Sequence, residues 1–179
     1  MSNITVKIAE RDNGVDDVSV VKEYFISDLN INRKSTREDV FEKLNMNPDA
    51  NHIITEIDWC NVVPSTHENN ALYLMDVYDA LMLLHELDNV LDEIGSEQIN
   101  AEFEVGWGIE EIIAHSDDVS LIAVDNEYDF GYEYILMCGT FNKVPYDLTN
   151  YIDFEKYGKH LVNSGEYKKT SYGFLRVHY

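Results

Sequence analysis

Residue types able to do chemistry gather at only a few places in the 179-residue chain. His115-Ser116-Asp117-Asp118 holds a base and a nucleophile together, the pair that acyl transfer needs. A triad is a constellation in space, however, and adjacency along the chain does not supply its geometry, so surface capping is the simpler use of these side chains. Asp125-Asn126-Glu127-Tyr128-Asp129-Phe130-Gly131 has the spaced oxygens of a calcium loop. Its glycine falls at the seventh position instead of the sixth, and Leu136 stands at the twelfth, where the bidentate glutamate belongs. Gly106-Trp107-Gly108 lacks the third glycine of a phosphate loop, and a phosphate there would meet a field of carboxylates. Cys60 and Cys138 have neither CxxC nor zinc spacing and are expected as free, buried thiols. The 6 histidines are scattered without ligand spacing. No catalytic residue, metal site or cofactor is expected.

What the chain does hold is charge. Its 34 Asp and Glu against 13 Lys and Arg give a net charge of −21 and a pI near 4.4. That balance argues against nucleic acid or an anionic membrane as a direct ligand, because each presents a second negative surface. Disorder is excluded as well: hydrophobic residues make up 45% and aromatics 12%, unlike an acidic tail. Between Leu44 and Asn142 stand 21 acids and no Lys or Arg, whereas residues 1–43 carry 9 acids and 7 bases, and residues 143–179 carry 4 acids and 6 bases. A compact globule of about 100 residues is about 33 Å across. The 21 charges then fall at about one per 1.6 Å, against about one per 1.7 Å of duplex DNA. Proteome-wide salt adaptation would acidify the C-terminal end too. An ordinary solvated surface explains an excess of acids but not the complete absence of cations over 99 residues. The N-terminus has no basic region followed by an apolar one, and no segment approaches the ~18 apolar residues of a membrane span. A soluble, cytoplasmic protein is expected.

Elements must hold those acids outward. Ile4–Ile8, Val18–Phe25 and Ile53–Trp59 read as strands by alternation and by their Val, Tyr and Phe content. Ser35-Thr36-Arg37-Glu38 is a capping box opening a helix through Val40, Phe41 and Leu44. Pro64 and the polar run 65–70 read as a linker. From Ala71 to Ile94, Leu72, Met75, Tyr78, Met82 and His85, flanked by Leu74, Leu81 and Leu84, form one broad helical stripe. Asp79, Glu86 and Glu93 repeat every seven residues, a drift of only ~20° per step, so they line one outer face. Gly95 is the expected cap. A helix from Ser96 to Phe103 would expose Glu97, Glu102 and Glu104, and a third includes Ile109–Ile113. Val119–Val124 reads as a strand, 125–137 as an aromatic and acidic helix, 153–162 as a helix, and 166–170 and 173–178 as closing strands. The fold class is α+β: an α+β unit at 1–66, an acidic helical middle at 67–118, and a C-terminal α+β unit at 119–179.

The run Val144-Pro145-Tyr146-Asp147-Leu148-Thr149-Asn150-Tyr151-Ile152-Asp153-Phe154-Glu155-Lys156-Tyr157-Gly158-Lys159-His160-Leu161, followed by a short hairpin ending in an aromatic residue, resembles the C-terminal pattern of the ArdA antirestriction proteins. A weaker resemblance extends to Glu23-Tyr24-Phe25, Glu56-Ile57-Asp58 and Ile112-Ile113-Ala114-His115-Ser116-Asp117. The resemblance implies a DNA mimic, carried by mobile elements and phages, that inhibits Type I restriction–modification enzymes by occupying their DNA-binding groove. It also implies an elongated homodimer of chains with three small domains, joined through the C-terminal one. Two chains would present about 42 carboxylates, equivalent to roughly 20 base pairs. The residues expected to form the partner-binding surface are Asp79, Glu86, Asp88, Glu93, Glu97, Glu102, Glu104, Glu110, Glu111, Asp117, Asp118, Asp125, Glu127 and Asp129. A mimic aimed at another nucleic-acid-binding protein, such as a CRISPR effector or repressor, is the nearest alternative. An enzyme would instead gather a few carboxylates in one concave pocket.

Overall fold

The computed structural model describes residues 4–11, 18–115, 118–143 and 145–177. The chain begins with β1 (Thr5–Arg11), β2 (Val18–Phe25), a 3-10 turn (Ile26–Leu29), α1 (Arg37–Leu44) and β3 (Asn51–Asp58). β1 lies between β2 and β3, antiparallel to both. Strand alternation alone would not put Ile54 and Ile57, three residues apart, on one face. The register between β1 and β3 shifts between Lys7 and Ile8, so Val6 pairs with Ile57 and Ile8 with Ile54. This irregularity lets both isoleucines join Val6 and Ile8 in the core.

Helix α1 opens one residue later than the capping pattern suggests. Thr36 Oγ1 accepts from the Asp39 N–H, and the Asp39 carboxylate accepts from the Thr36 N–H. Ser35 is engaged elsewhere, its hydroxyl accepting from the Asn32 N–H at 3.0 Å.

The middle differs more from the sequence reading. The expected linker opens α2 (Thr66–Leu74), because the Ser65 hydroxyl accepts from the Glu68 N–H and caps it. The expected long helix is broken at Met75 and Asp76: Asp76 accepts from the Tyr78 N–H and starts α3 (Val77–Ile94) afresh. The new start rotates the buried stripe onto Val77, Ala80, Leu81, Leu84, Leu87, Asp88 and Leu91. Tyr78, Met82 and His85 are only partly buried, and Leu74 is 87% exposed. Gly95 ends α3 at φ +83°, a conformation that side chains oppose. α4 (Ser96–Glu104) and α5 (Ile109–His115) follow. Buried Asn100 ties α4 back to the loop after β3, accepting from the Val63 N–H and donating to the Asn61 carbonyl.

The C-terminal sheet has the order β4-β6-β5, all antiparallel, from β4 (Leu121–Ile122), β5 (Tyr167–Thr170) and β6 (Gly173–Arg176). Between them lie α6 (Glu127–Met137), the single turn α7 (Tyr146–Thr149) and α8 (Phe154–Asn163). α6 and α8 cross backbone to backbone. A Cβ on Gly158 would stand 2.0 Å from the Glu127 carbonyl oxygen, and one on Gly131 would stand 2.1 Å from that of Phe154. The expected strand at 119–124 shortens to β4, and the thiols of Cys60 and Cys138 are exposed, not buried.

Two apolar clusters result. The larger runs from Ile4 and Phe41 through Leu84 and Ile99 to Leu175 and Val177. The smaller gathers Ile122, Phe130, Leu161, Tyr167 and Phe174, with Phe130 and Phe174 stacked at 4.2 Å. β6 is the wall between them: Leu175, with Val177 just past the strand's end, serves one cluster and Phe174 the other. Among the described residues no helix is long and apolar enough to cross a membrane.

Candidate partner-binding surface

The acids of the middle collect in first turns of helices. Asp79 opens α3, Glu97 opens α4, Glu110 and Glu111 open α5, and Glu127 and Asp129 open α6. Carboxylates there are stabilised by the exposed N–H groups and the positive end of the helix dipole. The last turns are more telling. α2, α3, α4 and α6 have no basic residue in their final turns, although cations belong there electrostatically. Glu93 instead stands exposed in the last turn of α3, and Glu104 closes α4. Helix physics disfavours both placements.

Asp79, Glu93, Glu97, Glu110, Asp118 and Asp125 are exposed, and none forms an ion pair among the described residues. Glu111 is half-buried beside Glu110. Asp129 is exposed and closes a capping pair with Asn126, whose amide donates to it at 2.7 Å. Asp117 lies outside the described residues. Exposed Asp92, beside Glu93, was missed by the sequence reading; its adjacency to the seven-residue series could have flagged it.

Other acids do different work. Glu86 accepts a two-pronged bond from Arg33 at 2.8 and 3.2 Å. Glu127 pairs with Lys169 at 3.0 Å, and that hydrogen bond holds its carboxyl below the usual range. Glu104 accepts from the backbone N–H of Ser171 at 2.9 Å and from its hydroxyl, gripping the turn between β5 and β6. Two expected surface residues face inward. Asp88 falls on the buried stripe of α3 and is 3% exposed, while Glu102 is 0% exposed. Asp88 follows Leu81 by seven residues and Leu84 by four, so it shares their buried face. Glu102 sits one turn after Gln98 on the face of α4 that meets the C-terminal sheet.

Ion pairing reveals a pattern invisible to linear counting. Of the five described ion pairs, four join a cation from a flanking segment to a central carboxylate: Lys7 to Glu56, Arg33 to Glu86, Arg37 to Asp76 and Lys169 to Glu127. The fifth, Lys159 with Glu155, stays within α8. Burial lifts the Asp76 carboxyl, but its bonds from Arg37 and the Tyr78 N–H outweigh that and hold it low. The four paired and two buried carboxylates belong to the central 21, so not every acid of that stretch stands free at the surface.

Glu68, Glu110 and Glu111 edge a cleft of about 360 Å³ between α2, α3 and α5, where Glu68 also accepts from the Ile109 N–H. A larger cleft, about 750 Å³, is lined by Tyr128, Tyr132, Leu136, Phe141 and Phe154, with no carboxylate among its described residues. Among the described residues no group of three His, Cys, Asp or Glu is placed to hold a metal ion.

A family model described as "Antirestriction protein (ArdA)" matches residues 5–176. No curated protein matches the chain.

Proposed function

The chain belongs to the ArdA family of antirestriction proteins, and from that premise we propose that it is a DNA mimic inhibiting Type I restriction–modification enzymes by occupying their DNA-binding groove. The observation that carries this reading is the 99-residue stretch without a single Lys or Arg. Its exposed carboxylates extend even to helix ends where they weaken the helix. Carboxylates do not reproduce base edges, so capture works through the partner's phosphate-binding Lys and Arg and not through sequence readout. The protein is a binding inhibitor, not an enzyme, and acts in the cytoplasm.

We infer further that two copies join through the C-terminal unit. Residues 143–179 carry 4 acids and 6 bases, so two such segments approach without strong repulsion. The unit leaves Tyr128, Leu136, Met137, Leu148 and Tyr151 exposed, Tyr151 by 82%, which makes an apolar patch that association would cover. The division at 1–66, 67–118 and 119–179 remains part of this proposal.

The test is competition. A purified Type I enzyme is titrated with labelled duplex and this protein at increasing salt. Mimicry requires that added DNA relieve inhibition and that inhibition weaken as salt screens the charges. Inhibition indifferent to salt would sink the electrostatic account. A host-lysate pull-down returning a CRISPR effector or repressor would redirect it to another target.

A further inference from the structure

Two carboxylates of α4 meet the C-terminal sheet, one outside and one inside. Outside, Glu104 grips Ser171. Inside, Gln98 Nε2 donates to Glu102 Oε1 at 3.0 Å and reaches the Val119 carbonyl at 3.4 Å, just before β4. Glu102 is wholly buried, and its Oε2 has no hydrogen-bond partner among the described residues. Ile99 and Phe103 flank it along α4, and both belong to the larger apolar cluster that also holds Trp107, Leu175 and Val177. A bare carboxylate in such a place is expensive, whereas a neutral carboxylic acid is tolerable.

We propose that Glu102 is a proton-controlled latch on the joint between α4 and the C-terminal sheet, closed when its carboxyl is neutral and loosened when it ionises. Burial pushes its pKa up from 4.5 to about 7, with the Gln98 hydrogen bond working against the shift. The ionisable groups on neighbouring elements are Asp88 on the inward face of α3, His115 edge-on to Trp107, and Asp118 and Glu104 at the surface. Arg176 follows Phe174 onto the other face of β6. Because the folded pKa lies above the unfolded one, the stabilisation is full below pH 4.5 and is lost as pH rises through about 7. The joint is therefore tight in mild acid and loose in mild base, whatever the acidic surface binds.

Amide hydrogen exchange tests this on the intact chain, with rates corrected for intrinsic pH dependence. Protection at Ile122, Arg176 and Ser171 should fall about tenfold between pH 6 and pH 8.5. That exchange should be nearly insensitive to urea, whereas exchange at Ile8 should be urea-sensitive. Glu102→Gln keeps an acceptor for Gln98 and should abolish the pH dependence. If the joint amides exchange only through the urea-sensitive unfolding that exposes Ile8, or if Glu102→Gln keeps the wild-type pH slope, the latch is overturned. Should that variant fail to fold, the side-chain carboxyl ¹³C titration of wild-type Glu102 decides: a midpoint near 7 supports the latch and one below 5 refutes it.

Discussion

α3 and α6 are built alike and dressed differently. Each starts at an Asp or Asn cap, carries acids in its first turn and lacks a cation in its last. α3 turns an aliphatic stripe inward and leaves Asp79 and Glu93 in water. α6 turns Phe130, Gly131 and Ile135 inward and leaves Tyr128, Tyr132, Leu136 and Met137 at the surface. Burial stabilises both in the same way, so the difference lies in what each outer face is suited to meet. A carboxylate face suits a cationic protein, and an aromatic face suits another apolar one.

The largest effect should come from the inner side of the C-terminal unit. Gly158→Ala forces a Cβ into the Glu127 carbonyl and should cost about 3 kcal/mol or more. Calorimetry and near-ultraviolet dichroism should show the C-terminal aromatic packing lost first. A variant that melts like wild type would show that the crossing of α6 and α8 tolerates separation.

Next comes the outer face of the middle. Changing Asp79, Glu93, Glu97, Glu110 and Asp125 together to their amides should weaken partner binding roughly 30-fold at low salt, while each single change stays within about twofold. A single change as damaging as the block would replace a spread field by a local hot spot.

The aromatic face should respond less, and in another assay. Tyr151→Glu together with Leu136→Glu should weaken self-association about tenfold or more by sedimentation without disturbing the melt. An unchanged sedimentation profile would move the interface elsewhere.

Smallest is Arg33→Gln, which frees Glu86 from its partner. It should change stability by less than about 0.5 kcal/mol and tighten partner binding about twofold if Glu86 lies in the footprint. No change in binding would place Glu86 beyond its edge.

Much of this contrast was legible in sequence because composition and short-range patterns carry it. Alternation located β1 and β3, Val, Tyr and Phe content located β2, and a capping box located α1 to within a residue, while α4, α6 and α8 also lie within two residues of their expected bounds. What failed was phase. One Asp76 carboxylate interrupts a helix that periodicity alone runs straight through, and α3 buries the face of Leu81, Leu84 and Asp88 more deeply than that of Tyr78, Met82 and His85. Ser35 and Thr36 offer equivalent hydroxyls, and the local turn from Asn32 to Ser35 decides which one caps α1. The candidate surface was overcounted for a related reason. Arg33 and Glu86 are 53 residues apart, and no local pattern says that a cation from the first segment lies against a carboxylate of the middle.

β6 has a kinetic consequence. It follows every other described element, yet it supplies Leu175, with Val177 just past its end, to the larger cluster and the stacked Phe174 ring to the smaller one. During synthesis neither cluster can close until β6 has left the ribosome. The newly made chain thus holds its acidic middle on an unfinished core until that strand emerges and seals both sides at once.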